Sequence, residues 1–95
     1  MSAPWKPDLA SVSDPDTLLR LLLGFYSSLQ PSGALLPKPT SQTVASQAEL
    51  LTVLTKFYGA ALVMGAKNLP RPTSSMVSRL DSLTDWLIKL HSAVT

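Results

Sequence analysis

Proline-bearing breaks divide this chain into three apolar stretches, and each stretch carries helical spacing. The first, Leu18 to Leu29, follows Ser13-Asp14-Pro15-Asp16 and stops at Gln30-Pro31-Ser32-Gly33. Ser13 or Asp14 can accept hydrogen bonds from the orphan amides of a first turn, where proline is tolerated. Beyond Leu29, proline cannot continue the ladder and glycine loosens the chain. A second helix is predicted from Thr40 or Ser41 to about Lys67, ended by Asn68-Leu69-Pro70-Arg71-Pro72. A third starts near Thr73 or Ser74 and runs almost to Thr95. The connection over 31–40 holds Pro31, Gly33, Pro37 and Pro39 and has extended character, with Leu35 and Leu36 folding back on the core.

The expected class is all-α: a three-helix bundle with a proline-bearing N-terminal arm and a proline-rich loop between helices one and two. Residues 1–12 form the arm and 13–95 a single helical domain. No internal repeat and no strand-like alternation stands out. The absence of cysteine removes a disulfide framework, a thiolate zinc site and a cysteine nucleophile. The start, Met1-Ser2-Ala3-Pro4-Trp5-Lys6-Pro7, lacks the apolar region of a signal peptide. Leu50 to Ala66 is interrupted by Thr52, Thr55 and Lys56 and falls short of the roughly 20 residues of a membrane span. The expectation is an intracellular, cytoplasmic protein.

Helix three is amphipathic, with Met76, Leu80, Leu83, Leu87, Leu90 and Val94 on one stripe and Asp81, Asp85 and Lys89 opposite. Helix two gathers Glu49, Lys56 and Lys67 on a narrow strip, and Gly59, Ala60, Ala61 and Gly65 suggest a tight crossing. Helix one differs, because its leucines, Phe25 and Tyr26 cover roughly 200° of arc against the ~100° or more of a surface helix. The part around Leu19 and Leu23 needs the arm, the loop or another chain to cover it. Leu19, Leu23 and Tyr26, with Trp5 in the arm, are therefore the nominated contact residues.

Catalytic constellations are wanting. His91 is the only histidine, and Asp85 points to a different face of the same helix. Asp81 and Asp85 share a face and could serve acid–base chemistry or a cation, but Asp85 stands four residues before Lys89, the favoured ion-pair spacing. Lys67 and Arg71, with Arg79 nearby, are candidates for contact with an anion at the turn before helix three. Pro37-Lys38-Pro39 could offer a short polyproline segment to a groove. No metal site or cofactor motif is predicted.

The reading that follows is non-enzymatic. The chain is expected to be a protein–protein interaction or assembly module acting through apolar helix faces, on a protein partner or by self-association. A membrane-peripheral helical protein is the alternative, since Leu18 to Leu29 could lie in an interface. A nucleic-acid-binding bundle ranks third, because a net charge of +2 gives little electrostatic footprint. An enzyme ranks last.

Overall fold

Short capped helices alternate with long ones. In the computed structural model, which describes residues 6–94, α1 (Leu9–Ser13) leads into α2 (Pro15–Ser28) and α3 (Ser41–Ala45) into α4 (Gln47–Val63). The last pair is α5 (Ser74–Val77) and α6 (Leu80–Val94), and a 3-10 turn over Gln30–Ser32 closes α2. The described residues contain no strand, so the class is all-α. Among the described residues there are six α-helices where three were expected, and three of the six are long.

Each difference has a local cause. Inside the predicted arm, Asp8 accepts the Ser11 amide at 2.8 Å while the Ser11 hydroxyl accepts the Asp8 amide at 3.1 Å, a capping box that starts α1. Ser11 and Val12 are buried, so this segment packs instead of trailing as an arm. The second predicted helix is cut at Ser46, which is extended (φ −127, ψ 122) and caps α4 by accepting the Glu49 amide at 3.4 Å. A serine side chain here competes with the helical ladder and wins. The third is interrupted at Ser78 and Arg79, between α5 and α6. Helix α4 also ends at Val63, four residues early, in a Schellman motif: the Gly65 amide donates to Leu62 O at 3.1 Å and the Ala66 amide to Ala61 O at 2.9 Å. Gly65 therefore lies beyond the helix, and a Cβ on Gly59 would meet nothing within 4 Å. Ala60 and Ala61 are buried, whereas Gly59 and Gly65 are exposed.

The three helix pairs follow one repeated pattern, where no internal repeat was expected. Residues 6–29, 38–61 and 71–94 align in register, with starts 32 and 33 residues apart. The first two share Lys6/Lys38, Pro7/Pro39, Val12/Val44, Leu18/Leu50, Leu19/Leu51, Leu22/Leu54, Phe25/Phe57 and Tyr26/Tyr58. The third keeps Pro72, Val77, Leu83 and Leu87 at these stations. Burial repeats with the register: Pro7, Pro39 and Pro72 are all buried, as are Leu22, Leu54 and Leu87, and Phe25, Phe57 and Leu90. Hydrogen bonds repeat too. The Leu18, Leu50 and Leu83 amides donate to Asp14 O, Ser46 O and Arg79 O at 2.8, 2.9 and 2.9 Å.

Within each unit the short helix packs on the long one, and each long helix also packs on the next short one: α2 on α3, α4 on α5 and α6 on α1. The last contact closes a ring. Leu21, Leu22, Phe25, Leu54, Phe57 and Trp86 fill its centre. The long helices run the same way, because their first turns share one concavity while Lys67, after α4, shares a depression with Lys89 and Ser92 at the end of α6. The connection between α4 and α5 returns along α6, where Trp86 donates Nε1–H to Pro70 O at 2.6 Å. The described residues leave no buried side-chain polar atom unpaired.

Candidate interaction surface

A concavity of about 280 Å³ lies where the three units meet, lined by equivalent residues from each. Val12, Val44 and Val77 contribute from the short helices, and Leu18, Leu50 and Leu83 from the long ones. Pro15, Gln47 and Leu80, the first residues of the long helices, stand at its mouth. The far pole of α4 presents the opposite shape. Leu62, Val63 and Met64 are 44, 69 and 41 % exposed in succession, with Lys56 exposed two turns before Val63 and Lys67 just after. At about 1.5 Å per residue the 17 residues of α4 span roughly 26 Å. The molecule measures 27 × 26 × 22 Å, so concavity and apolar tip sit at opposite ends.

The repeat supplies an internal control for which exposed apolar groups the fold requires. Leu62, Val63 and Met64 correspond to Gln30, Pro31 and Ser32 of the first unit. Leu80, 49 % exposed, corresponds to Pro15 and Gln47, and Leu9, 53 % exposed, to Ser41 and Ser74. The same fold thus forms without a large aliphatic group at these stations.

The nominated residues fall elsewhere. Leu19 and Leu23 are half-buried, as are Leu51, Thr55 and Ile88 at equivalent stations, while Thr84 is buried. Helix α1, which was not expected, and α3, expected only as the start of a longer helix, pack on α2 and account for much of its wide apolar arc. Tyr26 is half-buried against the core, as is its counterpart Tyr58. Trp5 lies outside the described residues. Total accessible surface is 5290 Å², against roughly 5,300 Å² expected for a folded monomer of 10.2 kDa. The apolar excess is mostly absorbed by the core and surfaces locally, at the end of α4 and at Leu35, which is 97 % exposed where it was expected to fold back on the core with the half-buried Leu36.

Lys67 and Arg71 are exposed and border two adjoining shallow depressions that have Lys89 in common. Lys67 borders a shallow depression with Lys89 and Ser92, whereas Arg71 borders another with Thr73, Asp85 and Trp86. Asp85 pairs with Lys89 at 3.5 Å and Asp81 with Arg79 at 3.3 Å, all with largely exposed side chains. The Ser82 amide and then the Arg79 charge hold the Asp81 carboxyl below its ordinary range. His91 is half-buried. Pro37 and Lys38 edge a separate groove with Thr40, Thr43, Thr52 and Val53. Among the described residues no three His, Cys, Asp or Glu side chains group as metal ligands, and no helix is long and apolar enough to cross a membrane. Comparison with protein-family models, with curated proteins and with solved structures finds no match.

Proposed function

We propose that the chain is a non-enzymatic interaction or assembly module whose contact element is the apolar tip of α4, Leu62-Val63-Met64. The carrying observation is the break in equivalence: where the first unit shows Gln30-Pro31-Ser32, the second exposes three aliphatic groups. A fold that needs no apolar side chain at these stations gains no stability from exposing them, whereas a contact does. Burying apolar surface is worth about 25 cal/mol per Å² before the costs of association. A protruding helix end with few charges can be covered without stranding buried ions. The ring supplies the rigidity that keeps such a tip preorganised.

Photo-crosslinking from position 63 in cells that naturally make the protein tests this reading, with Arg20, exposed on α2, as control position. A protein adduct of defined mass, to a second copy or another protein, is the expected result at 63 and not at 20. Adducts confined to lipid would overturn the proposal in favour of membrane-peripheral binding, and so would the same adducts at both positions.

A further inference from the structure

We infer that Lys67, Arg71 and Lys89 form a binding site for a soluble ligand with several linked phosphate groups, where the connection between α4 and α5 runs along α6. Two depressions adjoin there, of about 300 and 340 Å³. Lys67 and Lys89 line the first, Arg71 and Lys89 the second, so Lys89 belongs to both. Hydroxyls stand beside the cations, Ser92 in one depression and Thr73 and Ser82 in the other. The exposed Lys67 and Asn68 also keep backbone amides that donate to no carbonyl among the described residues. Ammonium, guanidinium, hydroxyl and amide groups are all donors, the set that phosphate oxygens accept from.

Positive charge here exceeds what the fold uses. Asp85 is the one carboxylate lining either depression, and it pairs with Lys89, which leaves Lys67 and Arg71 in no ion pair among the described residues. The ends of α4 and α6 contribute about half a negative charge each, too little to cancel the remainder. The repeat again shows what the fold can do without. Where the first connection runs Gly33-Ala34-Leu35-Leu36-Pro37, the second runs Gly65-Ala66-Lys67-Asn68-Leu69-Pro70. The second is one residue longer, with Lys67-Asn68 in place of Leu35 and φ 62 at Asn68. The equivalent groove of the second unit sets Lys38 with Glu49, and Lys56, the counterpart of Lys89, does not line it. Cations therefore converge in the third unit's groove alone. A ligand with linked phosphates meets Lys67 and Arg71 on either side of Lys89, more of the cations than a single phosphate meets.

Calorimetric titration of the full chain at low salt, with inorganic tripolyphosphate and orthophosphate as probes, tests the site. Tripolyphosphate should saturate one site and bind roughly tenfold more tightly than orthophosphate, since each added pairing of exposed charges is worth up to about fivefold. Lys67→Gln, Arg71→Gln and Lys89→Gln should each weaken it about two- to fivefold. Asp85→Asn should tighten it, because the one opposing carboxylate is gone. Lys38→Gln, at the station of Arg71 but beside Glu49, should leave it unchanged. These side chains are exposed, and circular dichroism checks that every variant folds. Absence of saturable binding, orthophosphate bound as tightly, equal losses from Lys38→Gln and Arg71→Gln, or no gain in Asp85→Asn overturns the site. Phosphatidylglycerol vesicles that bind the chain more tightly than tripolyphosphate, and lose it with the same three substitutions, would overturn a soluble ligand in favour of a lipid headgroup. The site does not rest on the apolar tip, so crosslinking at position 63 is decided separately.

Discussion

Gly33 and Gly65 hold the same station in successive units. Both have positive φ, 79 and 97, and each amide donates at 3.1 Å to the carbonyl three residues back, Gln30 O and Leu62 O. Each ends its unit and turns the chain toward Leu36-Pro37 or Leu69-Pro70, which lead into the next short helix. The third unit meets the first directly, α6 packing on α1 and closing the ring.

The glycines give opposite predictions. Gly65→Ala places a Cβ in the left-handed region and should lower stability by about 1 kcal/mol. Gly59→Ala, in the interior of α4 with open space around it, should raise stability by about 0.5–1 kcal/mol. Urea denaturation of both variants checks the pair. Stabilisation by Gly65→Ala would contradict the assigned turn.

Acid should weaken the chain partly through Asp8. The Ser11 amide, and then its hydroxyl, hold the Asp8 carboxyl below its ordinary range. Because the folded value is the lower one, this contribution is present above the unfolded value of about 3.9 and is lost as pH falls through the folded value. Asp8→Asn keeps a cap that does not titrate. The Tm advantage of the wild type over Asp8→Asn should therefore be steady near pH 6 and shrink below pH 4. A difference that stays constant to pH 2 would show that Asp8 plays no such part.

The strand of chain returning along α6 depends on Trp86. Trp86→Phe removes the donor to Pro70 O and should cost about 1 kcal/mol. Limited trypsin digestion reads the local effect. Lys6, Lys38 and Arg71 each precede proline and resist cleavage, which leaves Lys67-Asn68 and Arg79-Leu80 in connections; Arg79 sits in a two-residue break and is paired with Asp81, so Lys67-Asn68, where Asn68 has φ 62, is the expected first cut. Trp86→Phe should speed that cut several-fold without moving it. An unchanged rate would mean the hydrogen bond does not hold this segment.

Much of the fold was legible, and what was missed has physical reasons. Pro15, Gln30-Pro31 and Thr73 announce helix ends by chemistry that acts within one turn. Ser46 does not, because the apolar period runs through it and neither proline nor glycine marks the break. The repeat was hidden because its caps differ, Asp8 against Thr40 and Thr73, and because the third unit puts Trp86 and Leu90 where the first has Leu21 and Phe25. Without the repeat, the wide apolar arc of α2 reads as surplus. With it, Leu19 and Leu23 occupy stations that every unit half-buries or buries. The tip was illegible for the converse reason: Leu62, Val63 and Met64 look like core residues until set beside Gln30, Pro31 and Ser32.

Ring closure between α6 and α1 is the relationship on which all of this depends, and a circular permutant tests it most directly. Val94 is joined to Lys6 through a copy of the connection over 62–70, and new ends are opened between Leu36 and Pro37. If the three units are equivalent, the permutant unfolds cooperatively in urea with stability within about 2 kcal/mol of the parent, since moving a loop of this length changes little closure entropy. A permutant that is helical but melts without cooperativity would contradict the closed ring.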